Sequence, residues 1–73
     1  MLDALASVAR DARVAADLTQ LDIATAAKVS HATISRFERA EGWPQDVGAI
    51  IDAYETECGL RPGTLWKLAA EKL

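Results

Sequence analysis

Gln20-Leu21-Asp22-Ile23-Ala24-Thr25-Ala26-Ala27, then Lys28-Val29-Ser30, then His31-Ala32-Thr33-Ile34-Ser35-Arg36-Phe37-Glu38-Arg39 is the stretch that decides the fold of this chain. Thr19 is a good N-cap, and Asp22 three residues on completes a capping-box pattern, so a helix opens there. Ile23, Ala24 and Ala27 form its inward face. Lys28-Val29 is a tight turn. Ser30 caps a further helix, in which Ile34 and Phe37, three residues apart, face inward with Val29 nearby. Two short helices joined by about three residues make a helix-turn-helix, the arrangement that lays one helix in the DNA major groove.

Working outward, residues 3–16 predict a preceding helix. Leu5, Val8, Ala9, Ala12 and Ala16 recur at spacings of three and four, and Arg10 and Arg13 lie off that stripe. Downstream, Ala40 to Gln45 read as a loop because Gly42 and Pro44 fall together. Val47, Ile50, Ile51 and Tyr54, extended by Cys58, make the clearest helical stripe, over about Asp46 to Glu57. Gly59 stops it as a left-handed residue. Pro62 suits the first turn of a fifth helix, with Leu65, Leu68 and Ala69 inward. Alternating β-branched runs are absent. The expectation is an all-α bundle of about five short helices, with residues 1–73 as a single helix-turn-helix domain.

Apolar residues make up 51% of the 73 and aromatics only 5%, so the core is built from alanine and short aliphatics, with alanine the best intrinsic helix former. The net charge is −3 and the pI about 4.9, which argues against a general polyanion binder. The acidity sits mostly in the second half. Residues 1–40 hold five basic and five acidic groups, whereas residues 41–73 hold three basic and six acidic. No apolar run reaches the roughly 18 residues that cross a bilayer, and the start is not that of a signal peptide. A lone Cys58 excludes an internal disulfide and a cysteine-built metal site. The expected compartment is the cytoplasm, on the nucleoid of a bacterial host.

A recognition helix buries a few residues to fix its angle and leaves others free for base edges. With Ile34 and Phe37 as anchors, His31, Ala32, Thr33, Ser35 and Arg36 are the base-contacting candidates, concentrated in the half of the helix that reads bases in this motif. Arg36 is suited to a bidentate pair on guanine O6 and N7. Gln20, at a helix N-terminus where free N–H groups favour an anion, is either a phosphate contact or a support for the recognition helix. Ser30 serves as a cap and backbone candidate, and Arg10, Arg13 and Arg39 as phosphate clamps that position without reading sequence. Trp43 and Trp66 are either core filler or, with Leu60 and Leu73, a dimer surface, since tryptophan is favoured at interface hot spots.

Leu18 to Glu38, LTQLDIATAAKVSHATISRFE, resembles the lambda-repressor-like, Xre-type helix-turn-helix family that includes phage repressor and Cro proteins. The resemblance rests on Leu18, Thr19, Gln20, Ala24, Val29, Ser30 and the run Thr33 to Glu38, and continues more loosely through Pro44 and Leu65. It implies about five helices, operator DNA as partner and commonly a two-fold homodimer. It also implies base contacts from His31, Ala32, Ser35 and Arg36, with Gln20, Arg10, Ser30 and Arg39 on the backbone. The sequence departs from the family in two places. Lys28 stands where the family usually has glycine, and the segment Glu55–Arg61 looks longer than the usual connection.

The functional expectation is a sequence-specific transcriptional regulator of Cro or short-repressor type. The alternatives are a helix-turn-helix used for protein contact, as in an antitoxin or adaptor, and a DNA-bending recombination directionality factor. An enzyme is not expected, because one His and one Cys in different elements do not assemble a nucleophile, base and orienting group. No cofactor, metal or small-molecule ligand is implied.

Overall fold

The computed structural model describes residues 1–73 as five helices and no strands. They are α1 (Leu2–Ala15), α2 (Gln20–Ala27), α3 (His31–Glu38), α4 (Val47–Glu57) and α5 (Thr64–Glu71). The bundle measures 28 × 25 × 18 Å. Packing is most extensive between α1 and α5, α2 and α4, and α2 and α3, and α1 also touches α3 and α4. The core is therefore shared by all five helices. Leu5, Ala9, Ile23, Ile34, Ile50, Ile51, Tyr54, Leu65 and Ala69 have no exposed surface, and Phe37 has almost none. The Phe37 and Tyr54 rings meet at 5.9 Å between centroids, tilted by 57°, the favoured arrangement for an aromatic pair.

Local chemistry sets most of the helix ends. Thr19 and Asp22 exchange both capping-box bonds: the Asp22 amide donates to Thr19 Oγ1 at 3.1 Å, and the Thr19 amide to Asp22 Oδ2 at 2.8 Å. Hydrogen bonding from Thr19, its backbone amide first and its side chain second, holds the Asp22 carboxyl below its ordinary range. Ser30 Oγ accepts from the Thr33 amide at 3.1 Å. Helices α1 to α4 all finish in the same paired bond across a left-handed residue, the Schellman geometry. At the turn between α2 and α3, for example, Lys28 N donates to Thr25 O and Val29 N to Ala24 O. Only α4 has glycine, Gly59, at that position. Asp17, Lys28 and Ala40 adopt φ of 59°, 59° and 56°, a strain of roughly 1–2 kcal/mol for a residue with a Cβ. Lys28 thus keeps the turn that glycine usually makes.

Five sequence expectations need correction. Arg13 is not off the stripe: Leu5, Ala9 and Arg13 are successive i,i+4 positions, and the Arg13 side chain is only 13% exposed, whereas Ala16 lies past the helix end and is exposed. Helix α5 starts at Thr64, not Pro62, because Gly63 at φ 90° forms the entry. The Thr64 hydroxyl closes that turn onto Arg61 O, while the buried Glu55 carboxylate reaches from α4 to accept from the Leu65 amide at 3.0 Å. A carboxylate on the free amides of a first turn is a favourable cap. Leu68 is 42% exposed rather than inward, and Trp43 and Trp66, at 52% and 38%, are not core filler. Leu73 is also exposed and Leu60 half-buried.

Candidate nucleic-acid interface

Helix α3 has eight residues, too few to be stable alone, and its pose is imposed from its two ends and one face. On the inward face, Ile34 and Phe37 are buried completely or nearly so. On the opposite side, His31, Ala32 and Arg36 are exposed, while Thr33 and Ser35 are half-buried. Ala32 and Arg36 are one turn apart and share a face. The Arg36 guanidinium carries no ion pair. Thr33 Oγ1 is engaged with Ser30 Oγ at 2.9 Å, so its methyl is the part left for contact.

The C-terminal end of α3 is tied down by Glu38, whose side chain is 2% exposed. Its carboxylate accepts from Arg13 Nε at 2.7 Å and Nη2 at 2.9 Å, from Gln20 Nε2 at 3.0 Å and from the Tyr54 hydroxyl at 2.5 Å. Helices α1, α2 and α4 all converge on this one group. Burial opposes the charge on Glu38, but the hydrogen bonds from Arg13, Tyr54 and Gln20 outweigh it and hold the carboxyl below its ordinary range. Burial and the bond to Glu38 push the Tyr54 phenol well up, and the hydrogen bond to Glu38 raises the Arg13 guanidinium above its ordinary value.

The N-terminal end of α3 is tied through Gln20. Its Oε1 lies 3.0 Å from His31 Nε2, while its amide nitrogen is on Glu38. Gln20 therefore links the first residue of α3 to the last.

The expected backbone contacts divide. Arg10 is exposed on α1 and without a partner; Lys28, which was not among the expected contacts, is also exposed, at the turn. Arg39 is exposed but paired with Glu41 at 2.8 Å, a surface pair that contributes little to stability. Arg13 does not fit the phosphate-clamp role: Nε and Nη2 are on Glu38, and Nη1 donates to Leu18 O at 2.9 Å. Its partner lies 25 residues away. Glu38 is a hub that the reading of the sequence missed. A signal was present, because Ile34, Phe37 and Glu38 share one helix face (i, i+3, i+4), and an acid there needs a partner. Beside α3, Arg36, Trp43 and the loop from Glu41 to Asp46 line a polar groove of about 420 Å³. No helix is long and apolar enough to cross a membrane.

A capped second helix, a three-residue turn and a third helix clamped at both ends with a polar face outward define a helix-turn-helix module. The chain belongs to a helix-turn-helix domain family of the Xre/Cro-like type, whose model matches residues 4–62. The matched span holds the whole Glu38 network and stops before α5. No curated protein and no solved structure matches the chain.

Proposed function

We propose that this protein is a sequence-specific transcriptional regulator, Cro-like or a short repressor, that binds a pseudo-palindromic operator as a homodimer. The observation that carries the reading is the exposed set His31, Ala32 and Arg36 on a helix whose opposite face is buried and whose two ends are held by Gln20 and Glu38. Arg36, free of any ion pair, supplies a bidentate donor for guanine. Thr33 and Ser35 take the flanking base contacts. Arg10, Lys28 and Arg39 serve phosphates, with Ser30 and the first-turn amides of α3 beside them. Dimerisation places two such helices about 34 Å apart, one turn of the duplex. Trp66, Leu73, Leu60 and Trp43 are the candidates for the dimer face.

Selection of bound sites from random duplex DNA tests the proposal, followed by titrations of the selected and a scrambled site across salt concentrations. A two-fold symmetric site is expected, with a linear fall of log affinity against log salt. Equal affinity for both duplexes at moderate salt would refute it. The net charge of −3 and the exposed Trp43 and Trp66 favour one other reading, a module that docks on a protein. That reading predicts no salt-dependent DNA binding at all.

A further inference from the structure

The hydrogen bonds through Glu38, Gln20 and His31 fix a property that none of them fixes alone. An ionised carboxylate only accepts. The Gln20 amide therefore presents its nitrogen, not its oxygen, to Glu38 Oε1 at 3.0 Å. The Gln20 carbonyl oxygen is left facing His31 Nε2 at 3.0 Å, and a carbonyl oxygen also only accepts. His31 Nε2 must then carry a hydrogen. In a neutral imidazole this leaves Nδ1 as an unprotonated acceptor. His31 is exposed at the first position of α3, and its Nδ1 has no partner within the chain.

We infer that this relay makes His31 a reader of amino groups, its Nδ1 accepting a hydrogen bond from adenine N6 or cytosine N4 in the major groove. The inference rests on the proposed DNA-binding role and adds to it a rule of base choice. Guanine N7 and O6 and thymine O4 only accept, so they meet a lone pair instead of a donor, as does a phosphate oxygen. An imidazolium ring would donate from both nitrogens and prefer guanine or phosphate. The two ring states thus demand opposite partners. Gln20 acts here as a positioning residue, and Arg13 and Tyr54 hold Glu38 in the ionised form on which the relay depends.

Two measurements test this. The first is a long-range ¹H–¹⁵N spectrum of the free protein at about pH 8, above the ordinary imidazole range. His31 is expected with its hydrogen on Nε2, and in Gln20→Ala as an average of both tautomers. A hydrogen on Nδ1, or averaging in the unmodified protein, overturns the relay, and the wild-type spectrum decides this even if Gln20→Ala fails to fold.

The second uses a selected site. His31→Ala identifies the base pair that His31 reads by relaxing preference there. At that pair, adenine is replaced by purine, or cytosine by pyrimidin-2-one, which removes the amino group alone. The unmodified protein is expected to lose roughly fivefold in affinity, about the worth of one hydrogen bond, and His31→Ala to lose nothing further. Replacing the purine of the same pair by its 7-deaza analogue should leave affinity intact. Loss on the deaza change but not on amine removal overturns the assignment, as does a His31→Ala protein that relaxes no position. If selection returns no preferred site, the regulator reading fails and the base assignment with it. The nitrogen spectrum would still decide, by itself, whether the relay exists.

Discussion

Replacing Glu38 with glutamine removes one buried charge and little else. The Glu38 side chain is 2% exposed and its main partner, Arg13, 13%. The change strands a largely buried guanidinium and turns an amide NH₂ towards groups that are themselves donors. Breaking a buried pair from one side costs about 3–5 kcal/mol. The amide keeps one carbonyl acceptor, which places the expected loss near the lower end, about 3 kcal/mol. A chain of this length holds roughly 4–11 kcal/mol in total, so the loss is a large share of it. With a urea slope of about 1 kcal/mol per molar, the unfolding midpoint falls by roughly 3 M with the slope unchanged.

Arg13→Met supplies the control. In that background Glu38→Gln is expected to cost about 1 kcal/mol or less, because the penalty belongs to the pair. A loss below about 1 kcal/mol in the single variant would refute the reasoning, since it would mean that Arg13 reaches water without Glu38. The acid limb gives a second readout. The native carboxyl lies below its unfolded range, for although burial opposes its charge, the bonds from Arg13, Tyr54 and Gln20 prevail. The native state therefore binds the proton less well than the unfolded chain. Its contribution is complete above the ordinary carboxylate range and is lost as pH falls through the lowered native value. Glu38→Gln should flatten that limb of the stability curve.

Four further outcomes follow from the same contacts. Thr19→Ala deletes the hydroxyl that caps α2 and should cost about 1 kcal/mol in urea unfolding; no change would mean that Asp22 alone holds the helix start. Lys28→Gly relieves a left-handed Cβ at φ 59°, and after the entropy cost of glycine it should raise stability by about 0.5 kcal/mol. That is the reverse of the usual effect of glycine, and a measured loss would count against strain at the turn. In gel shifts, Arg36→Ala should relax choice at one base pair by about 1–3 kcal/mol. Glu41→Gln, by releasing Arg39, should tighten operator and random duplex alike and steepen the salt dependence, and an unchanged slope would remove Arg39 from the phosphate contacts.

How much of this the sequence carried depended on distance along the chain. The ends of α2 and α3 were legible because their caps, Thr19 with Asp22 and Ser30 with Thr33, lie three residues apart. The anchors Ile34 and Phe37 were legible from their spacing, and the exposed positions of His31, Ala32 and Arg36 followed from the same phase. The positions misread are those whose environment is set by a remote group. Arg13 looks like a surface cation until Glu38, 25 residues on, is folded against it. Pro62 looks like a helix start until Glu55 reaches the Leu65 amide from the preceding helix. Gln20 could be read two ways because both its partners, His31 and Glu38, come from α3. In each case the deciding contact is tertiary, and periodicity holds no record of it.

The same contacts change how the acidic balance bears on DNA. Leu18 to Glu41 contains Lys28, Arg36 and Arg39 against Asp22, Glu38 and Glu41, a formal balance of zero. Glu38, however, is buried and neutralised by Arg13 from α1, and Asp22 is bound into its cap. Glu41 is offset by Arg39, which leaves Lys28 and Arg36 as unpaired cations on this segment against the single carboxylate of Asp22, a local excess of positive charge. Of the six acidic groups in residues 41–73, only Glu41 belongs to it. The overall negative charge is thus no obstacle to an anionic duplex meeting this face. Yet two or three free cations neutralise few phosphates, and each phosphate neutralised contributes about 0.9 to the salt slope. Under the proposed function, non-specific affinity is weak and the discrimination must come from base edges. This places the energetic weight on Arg36 and His31, and therefore on the clamp that holds their helix in place.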